Sequence, residues 1–431
     1  MPAGSPPDGA HSSAGGAGTA GLTWAAMDEA ARAEYWASLA LRYCSGLGAC
    51  SCAKLLKFFD TAHNAFESRD RWREAGLTKR QASEIAGNSW RAAAKREWDS
   101  AKSLDCGILL WSDPLYPQRL REISDSPVLL YCRGDTSLLR APAFAVVGSR
   151  QATAKGLDVA AYMSRCLSAC GIAIVSGMAL GIDRVAHEAA LARPGGSIGV
   201  LGTGVDTVYP KENARLFEEM PARGLLLSEF APGTPPLAAH FPVRNRIISA
   251  LSLGVLVVEA ASRSGSLVTA RLALEQNREV YAVPGQALDT HCLGCQELVR
   301  QGAKPVFTAE DVLRDLADLL RPFGISEASL PENDTTFSVA GENVDMPPTV
   351  APPPSGIPQK DNKLCAPVGA LISTDQRRQA LACLRANGPM HADDLSLVLG
   401  VPPSSLSTLL VALEMIGEVK RLAGARYKAE S

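Results

Sequence analysis

Seven short apolar runs alternate with helical patterns between about residues 143 and 320, and this alternation constrains the fold more than any other feature of the chain. Strands that are separated by helices are typical of parallel βαβ units, in which the carboxyl ends of the strands meet at one edge of the sheet. Ligands of such sheets bind at that edge. The sequence therefore predicts an α/β core with a binding site in the loops that follow the strands. The predicted strands are Phe144–Val147, Ile172–Val175, Ile198–Leu201, Leu225–Leu227, Val255–Val258, Val280–Val283 and Pro305–Phe307.

The composition limits the classes of protein that the chain can represent. Its 431 residues, 46% of them hydrophobic, suffice for roughly two to four domains with large cores. With a formal net charge of −2, any polyanion must be held by a local patch, because there is no overall cationic field. No segment has the roughly 20 apolar residues of a membrane span, and no signal peptide pattern is present. The 11 cysteines are scattered through apolar patterns, so we expect a cytoplasmic protein with reduced thiols and no membrane contact.

The chain divides into five predicted segments. Residues 1–21 are rich in Gly, Ala, Ser and Pro, which predicts a disordered tail. Residues 22–104 show helical patterns, and residues 105–322 contain the α/β pattern. Residues 323–370 form a Pro-rich linker with little to bury. Residues 371–431 return to helical patterns and finish in a short strand pattern.

The loop after the first predicted strand has the chemistry of an anion site. Gly148-Ser149-Arg150 separates that strand from a helix, and the free amides of a helix amino terminus attract anions. Ser149 can donate one more hydrogen bond, and Arg150 can grip a phosphate with two. The spacing differs from the dinucleotide fingerprint, and Ser176-Gly177 stands where an acidic residue would bind a ribose. The alternative is a tight turn that only needs Gly148.

Three companion loops have the same character. Short hydroxyl side chains and bare backbone amides suit a phosphate. No loop pairs a nucleophile with a base, and none carries a set of metal ligands. We therefore predict no catalytic residues, no metal and no cofactor. The loops are Ser176-Gly177-Met178-Ala179, Gly202-Thr203-Gly204 and Arg263-Ser264-Gly265-Ser266.

The stretch Phe241-Pro242-Val243-Arg244-Asn245-Arg246 is the most informative motif. It follows a polar loop that contains prolines, so the ring of Phe241 is expected near the surface. An exposed aromatic ring beside arginines suits single-stranded nucleic acid, because unpaired bases stack on the ring and guanidinium groups neutralise the backbone. The alternative is a helix start whose arginines pair with acids such as Glu229 and Glu259.

Two further residue pairs have structural and functional interpretations. Asp183 and His187 lie four residues apart on one helix face. Without a third ligand or a nucleophile, we expect them to brace the neighbouring loops through hydrogen bonds. Cys292 and Cys295 form a C-x-x-C beside His291. Zinc would need two more ligands, and a redox pair would need a thioredoxin-like position, so we assign neither role.

The chain carries a series of motifs whose sequences and order resemble those of the DNA-processing protein A (DprA/Smf) family of bacteria. The resemblance covers about residues 36–320 and 376–427. It is carried by Val146-Val147-Gly148-Ser149-Arg150, Ile174-Val175-Ser176-Gly177, Gly181-Ile182-Asp183, Tyr209-Pro210, Phe241-Pro242, Arg244-Asn245-Arg246, Val257-Val258-Glu259-Ala260, Ser264-Gly265-Ser266-Leu267, Thr269-Ala270 and Val283-Pro284-Gly285.

The resemblance implies an extended Rossmann-like parallel sheet that binds single-stranded DNA without enzymatic activity. It also implies a helix-hairpin-helix or sterile-alpha-motif-like domain before the sheet and a winged helix after it. Members of the family protect incoming single strands during natural transformation, load the RecA recombinase and form homodimers. With the motifs above, the expected site for single-stranded DNA and its phosphates consists of Gly148, Ser149, Arg150, Ser176, Gly177, Phe241, Arg244, Asn245, Arg246, Ser264, Gly265, Ser266 and Thr269.

The chain departs from the family pattern at a few positions. Ala238 stands where many members have a lysine, which puts one backbone contact in doubt. Gly294-Cys295-Gln296 replaces a Gly-x-Asn sequence, and the glutamine keeps an amide. The predicted winged helix carries acidic residues that suit protein contacts better than a DNA groove: Asp393, Asp394, Glu414 and Glu418.

Two alternative functions stay open on the sequence alone. A related Rossmann branch cleaves nucleotides with a P-G-G-x-G-T-x-x-E motif. This chain has Ser264–Ala270 there, and its next glutamate is Glu275. A nucleotide-binding or nucleotide-cleaving enzyme is therefore one alternative. The other is a transcriptional regulator that uses the winged helix, against which the acidic residues argue.

Overall fold

A ten-stranded sheet forms the centre of the molecule in the computed structural model, which describes residues 22–286, 289–330, 374–401, 403–415, 417–422 and 424–430. The predicted tail 1–21 and most of the predicted linker 323–370 lie outside these residues. The strands are β1 (Leu22–Thr23), β2 (Gly107–Leu110), β3 (Leu129–Gly134), β4 (Ala143–Val147), β5 (Ala173–Ser176), β6 (Ser197–Leu201), β7 (Leu225–Ser228), β8 (Gly254–Val257), β9 (Glu279–Ala282) and β10 (Lys304–Pro305).

The strand order is β1-β2-β3-β7-β6-β5-β4-β8-β9-β10. Strands β4 to β10 are parallel, as the seven apolar runs predicted, and their bounds agree within a residue or two. Strands β1, β2 and β3 extend the sheet antiparallel beyond β7. The chain moves from β4 out to β7 and then crosses back to β8. The order of the strands therefore reverses between β4 and β8, which is where open α/β sheets form their ligand crevice.

Helices lie between β1 and β2 in the chain and between the later strands, and they cover both faces of the sheet. The helices before β2 are α1 (Glu29–Tyr43), α2 (Ala49–Phe59), α3 (Ala62–Glu67), α4 (Lys79–Glu84) and α5 (Arg91–Leu104). The helices that follow are α6 (Gln118–Glu122), α7 (Ala154–Ala169), α8 (Ile182–Ala190), α9 (Ala214–Arg223), α10 (His240–Leu251), α11 (Ser266–Glu275), α12 (Leu293–Arg300), α13 (Ala309–Asp315) and α14 (Ala317–Leu320). No helix among the described residues is long and apolar enough to cross a membrane.

The amino-terminal helices share their hydrophobic core with one face of the sheet. A buried polar network joins the two parts. The hydroxyl of Tyr35 on α1 lies 2.8 Å from that of Tyr131 on β3, and Tyr131 donates to Glu97 on α5 at 2.6 Å. Arg42 pairs with the same carboxylate at 3.2 Å. Because a buried carboxylate is stable only when it is fully paired, these residues hold the helices against β3 in one arrangement.

The other face of the sheet has its own core, built around α7, α8 and α13. Ile325 is buried in this core and Leu330 packs on it, so the first residues of the predicted linker, 323–330, are folded.

The last segment forms a winged helix with a separate core. It contains α15 (Thr374–Asn387), α16 (Ala392–Leu399) and α17 (Pro403–Met415), with β11 (Met390–His391), β12 (Val419–Leu422) and β13 (Arg426–Ala429) in the order β11-β13-β12. Helix α17 packs on α10. Polar contacts also join the winged helix to the rest of the molecule, and two of them involve acidic residues that the sequence assigned to protein contacts. Glu414 pairs with Arg271 on α11 at 3.3 Å, and Asp393 accepts a hydrogen bond from Ser51 on α2.

Candidate nucleic-acid interface

A pocket lies at the carboxyl edge of the parallel strands, where the sequence predicted a binding site. Three loops and one helix start form it. The loops follow β4, β5 and β6, and the helix is α10. The residues that line it are Arg150, Gly177, Met178, Ala179, Leu180, Tyr209, Pro210 and Phe241. Of the residues expected from the sequence, Arg150, Gly177 and Phe241 come together here.

The ring of Phe241 is partly exposed on the first turn of α10. The ring of Tyr209 lies beside it, with 5.3 Å between the ring centroids. A β-carbon on Gly202 would come within 2.7 Å of the Phe241 ring, so the loop after β6 needs a glycine where the ring rests on it. The ring is thus held in place while part of it reaches solvent, as a stacking platform requires.

Arg150 is exposed, and its guanidinium carbon lies 5.7 Å from the centroid of the Phe241 ring. Among the described residues, no carboxylate lies within ion-pair distance of it. Cation–π attraction keeps the guanidinium near the ring without using its hydrogen-bond donors. A phosphate can therefore bind this arginine without displacing a protein carboxylate.

Arg244 lies behind the ring and not on the surface, with 3% of the residue exposed. Its Nη1 donates to the carbonyl of Gly177 at 2.8 Å and to that of Val200, and Asp183 offsets its charge. Burial is the main reason that its pKa falls to about 10. A β-carbon on Gly177 would lie 2.6 Å from Nη2. The direct phosphate contact expected for Arg244 is therefore not available in this arrangement, and this arginine positions the loops around Phe241.

Arg246 and Asn245 also differ from the expectation. Arg246 is 5% exposed, and it pairs with Glu229 at 2.5 Å and with Asp125 at 3.6 Å. For Arg246 the structure therefore agrees with the alternative given for this motif, in which its arginines pair with acids such as Glu229. Asn245 is half-buried, and its Oδ1 accepts a hydrogen bond from Nε of Arg244 at 3.3 Å. Neither residue lines the pocket.

The amino terminus of α7 holds a carboxylate of the protein itself. Glu259 is buried and accepts hydrogen bonds from Thr153, at 3.1 Å from its amide and 2.7 Å from its hydroxyl. The hydroxyl of Ser149 accepts from the amide of Gln151, at 3.1 Å, within its own turn. Because Glu259 occupies the position that was predicted for an external anion, Gly148 and Ser149 serve the turn, and Arg150 alone of this loop faces the pocket.

The other hydroxyl residues divide into a buried group and an accessible one. Ser176 is buried and donates to the carbonyl of Val146 at 2.7 Å, and Thr269 is buried in the second turn of α11. Ser266 is also buried, and at the start of α11 it bonds at 2.7 Å to Ser264, which is half-buried. Gly265 between them is exposed, with open space beside it. This start of α11 is accessible, but it does not line the Phe241 pocket.

Asp183 and His187 brace the loop after β5, as the sequence predicted. Asp183 accepts from the amide of Gly177 at 3.0 Å, and burial raises the pKa of its carboxyl. Nε2 of His187 accepts from the amide of Met178 at 3.3 Å, so Nδ1 carries the proton and bonds to Ser197 at 2.7 Å. Burial, together with the charge of Arg244, lowers the pKa of His187 to about 3. The imidazole is therefore neutral, and it holds Met178 at a φ of 56°.

The cysteine pair is part of the core. Cys295 is buried and its thiol donates to the carbonyl of Val257 at 3.6 Å. Burial raises the pKa of this thiol to about 12, which makes it unreactive. Within the described part of the chain, no three His, Cys, Asp or Glu residues are grouped in a way that could hold a metal ion.

Sequence reasoning placed Met178 and Ala179 in a loop of the binding edge, but it missed Leu180 and Tyr209 as pocket residues. Tyr209-Pro210 was recognised as a motif, and its position after β6 was the available signal, since the carboxyl ends of neighbouring parallel strands meet at one edge. Met178–Leu180 carries no charge or hydroxyl that would mark it. Its backbone, held by His187 and Asp183, forms that wall of the pocket.

Comparisons with known proteins agree with the motifs. Residues 107–317 match the family model described as DNA recombination-mediator protein A, and residues 363–425 match that of the DprA winged helix domain. The DNA processing protein DprA of Streptococcus pneumoniae is 47% identical over 203 residues, which are 47% of this chain and 72% of that protein. An X-ray structure of the pneumococcal protein matches with a TM-score of 0.56 at 38% identity, over 64% of this chain and 95% of that one.

One further relative matches almost the whole chain, and one solved structure matches about half of it. Protein Smf of Synechocystis is 32% identical over 401 residues, which are 91% of this chain and 98% of that protein. A structure of DNA processing protein A from Helicobacter pylori, described by its single-stranded DNA binding mode, matches at 33% identity with a TM-score of 0.44. It covers 47% of this chain and 93% of that one.

Proposed function

The chain belongs to the DprA/Smf family of DNA-processing proteins, and from that premise we propose that it binds single-stranded DNA at the Phe241 pocket without changing the DNA chemically. The observation that carries the proposal is the partly exposed ring of Phe241 with the exposed guanidinium of Arg150 beside it, which pairs with no carboxylate of the described residues. A base stacks on the ring and its phosphate binds the arginine. Duplex DNA offers no free base face to this ring, so single strands are preferred.

The absence of catalysis is part of the proposal. The groups near the pocket that could act as nucleophile or base are engaged in the fold. Ser176 donates to a carbonyl, His187 is neutral and buried, and Asp183 accepts from a backbone amide. General acid–base chemistry needs a group that can exchange a proton with the substrate. These contacts support a binding protein over the nucleotide-cleaving alternative.

The regulator alternative depends on a free winged helix. In the structure α17, the third helix of that domain, packs on α10, and Glu414 on α17 pairs with Arg271. A helix that enters a DNA groove needs an exposed and neutral or basic face. This packing supports an intramolecular role for the domain.

We extend the proposal to the cellular role that the family resemblance implies. In it the protein coats single strands that enter during natural transformation, shields them from nucleases and loads RecA onto them as a homodimer. The described cysteines are free thiols, which supports a reducing, cytoplasmic location. The assay for this role is RecA filament formation on DNA that is already coated with single-strand-binding protein. Acceleration by the chain supports the role, and no effect with the cognate RecA contradicts it.

The binding proposal is tested by fluorescence anisotropy with labelled oligo(dT) and with a duplex of the same length at the same salt concentration. We expect tighter binding of the single strand, and affinity that falls steeply with salt because bound phosphates release counterions. Incubation with oligonucleotides and nucleotides, with and without Mg²⁺, should leave both unchanged. Equal affinity for the duplex, or nucleotide turnover that copurifies with the chain, would contradict the proposal.

A further inference from the structure

A second cavity, of about 350 Å³, lies at the opposite edge of the sheet from the Phe241 pocket. It is near the amino ends of β4 and β6, and it reaches Leu251, the last residue of α10. Its walls come from α6, from the turn 136–140 and from the turn Arg321–Phe323. A volume of this size is within the range of small-molecule sites, which begins at roughly 300 Å³.

The cavity contains unpaired positive charge. Arg119 is half-buried, and none of the described residues offers its guanidinium a hydrogen-bond acceptor. Burial and the neighbouring charge of Arg278 lower its pKa. Arg140 stands at the rim without an ion-pair partner in the described part of the chain. The carboxylate in the lining, that of Glu122, acts on Arg119 through its charge and raises the pKa of Arg119, but its ion pair is with Arg278, at 3.2 Å.

Arg278 shows that the positive charge here is not fully compensated by the protein. Its side chain is 12% exposed, and its Nη2 donates to the carbonyl of Arg119 at 3.2 Å as well as to Glu122. Its Nε is buried, and no acceptor among the described residues bonds to it. A partly buried guanidinium with unsatisfied donors is costly, and an anion that binds to Arg119 in the cavity reduces that cost.

The remaining lining suits a ring. Leu139, Ile198 and Leu251 form apolar walls, and the ring of Phe323 is 43% exposed at the rim. The exposed amide of Gln118 can both donate and accept hydrogen bonds, as the edge of a nucleobase does. Apolar walls with a few polar groups are typical of sites for small organic molecules.

We propose that this cavity binds a nucleoside monophosphate, with the phosphate between Arg119 and Arg140 and the base against Phe323 and the leucine walls. Two guanidinium groups match the double negative charge of a phosphate monoester. The site is separate from the Phe241 pocket and does not depend on single-stranded DNA binding. The chain would then have a small-molecule ligand in addition to the single-stranded DNA of its proposed function.

The test is isothermal titration of the full chain, already saturated with oligo(dT), with dTMP. Thymidine and inorganic phosphate serve as probes that each lack one half of the ligand. We expect dTMP to bind, and each of the two partial probes to bind at least tenfold more weakly. Absence of dTMP binding by the wild-type chain overturns the proposal. Displacement of bound oligo(dT) by dTMP also overturns it, because the nucleotide would then occupy the DNA site.

Two variants locate the ligand. Arg119→Gln should weaken dTMP binding at least tenfold, while Arg215→Gln, which changes an exposed arginine on α9, should leave it unchanged. Phe323→Ala at the exposed rim should weaken dTMP but not inorganic phosphate. Thermal melting checks that each variant folds, and Arg140→Gln replaces Arg119→Gln if that variant does not. Unchanged dTMP affinity in the arginine variants would overturn the site. If the wild type does not bind oligo(dT), the proposed function alone is contradicted, and titration of the free chain with dTMP still tests the cavity.

Discussion

Replacement of Arg150 by alanine tests the DNA-binding proposal most directly. The side chain is exposed and pairs with no described carboxylate, so its loss removes a DNA contact and leaves the fold intact. Hydrogen bonds to charged groups contribute about 1.5–3 kcal/mol. Exposure and screening favour the lower limit, so the Kd for oligo(dT) should rise about tenfold, since about 1.4 kcal/mol corresponds to a factor of ten.

The salt dependence gives an independent measure of the same contact. Each phosphate contact on a single strand contributes about 0.7 to the slope of log K against log salt. The wild type therefore loses affinity faster than Arg150→Ala. The ratio of their Kd values should shrink about threefold between about 50 and 200 mM salt. Fluorescence anisotropy over this range measures both quantities, with Arg184→Ala on α8 as an exposed arginine control. A parallel salt dependence of wild type and Arg150→Ala would refute the assigned phosphate contact, and a lower melting temperature would show a structural role.

The remaining predictions concern the ring, the buried arginine, the buried histidine and the winged helix. Phe241→Ala should weaken oligo(dT) binding by roughly 1–3 kcal/mol with an unchanged salt slope, and a large drop in melting temperature without a loss of affinity would show that the ring serves the core. Arg244→Met removes the charge that offsets buried Asp183 and the donor to two carbonyls, so urea denaturation should show a loss of about 3–5 kcal/mol. Removal of the exposed pair by Arg215→Ala should cost at most about 1 kcal/mol, and equal losses would contradict this contrast. His187 stays neutral in the fold down to a pKa of about 3, whereas the unfolded chain takes up a proton below about pH 6.5. The free energy of unfolding should therefore fall as the pH drops below that value, by up to about 1.4 kcal/mol per pH unit. His187→Gln should make this fall less steep. The same steepness in the variant would mean that His187 does not cause the pH dependence. Glu414→Arg places like charges beside Arg271, so small-angle scattering should show a larger radius of gyration, and an unchanged radius would show that the packing of α17 on α10 holds without the ion pair.

The parallel strands could be predicted because each apolar run is followed by enough chain for a helix. That spacing is a local property. Strands β2 and β3 have equally apolar sequences, with every residue of Gly107–Leu110 buried, but their pairing is antiparallel and joins them to β7 over a long sequence distance. Nothing in the local pattern shows that the sheet continues beyond β7. The shared core of α1, α5 and β3 was missed for the same reason.

The sequence predicted which kinds of side chain form the site, but it did not predict that Arg244 and Arg246 are buried. Arg150 and Phe241 lie 91 positions apart, and the strand–loop pattern predicts that they meet at one edge. The sequence named Glu229 as a possible partner of the arginines in this helix, but it did not predict Asp125 or the contact of Glu259 with the start of α7. Arg246 reaches Asp125 and Glu229 from different segments, and Glu259 takes the start of α7 by crossing from the end of β8. Such contacts depend on the relative placement of strands, which a one-dimensional pattern does not contain.

The buried carboxylate of Glu97 makes the amino-terminal helices and the sheet depend on each other, although the sequence pattern presents them as separate segments. It holds Tyr131 on β3 from a helix of the amino-terminal segment. A fragment that begins at residue 105 would keep the tyrosine, lose the carboxylate and expose the apolar face of β2 and β3 to water, where such surfaces aggregate. Gene fusions that exchange the helical segment between relatives would keep this contact only when the donor supplies an acid at position 97 and the recipient a hydroxyl at position 131.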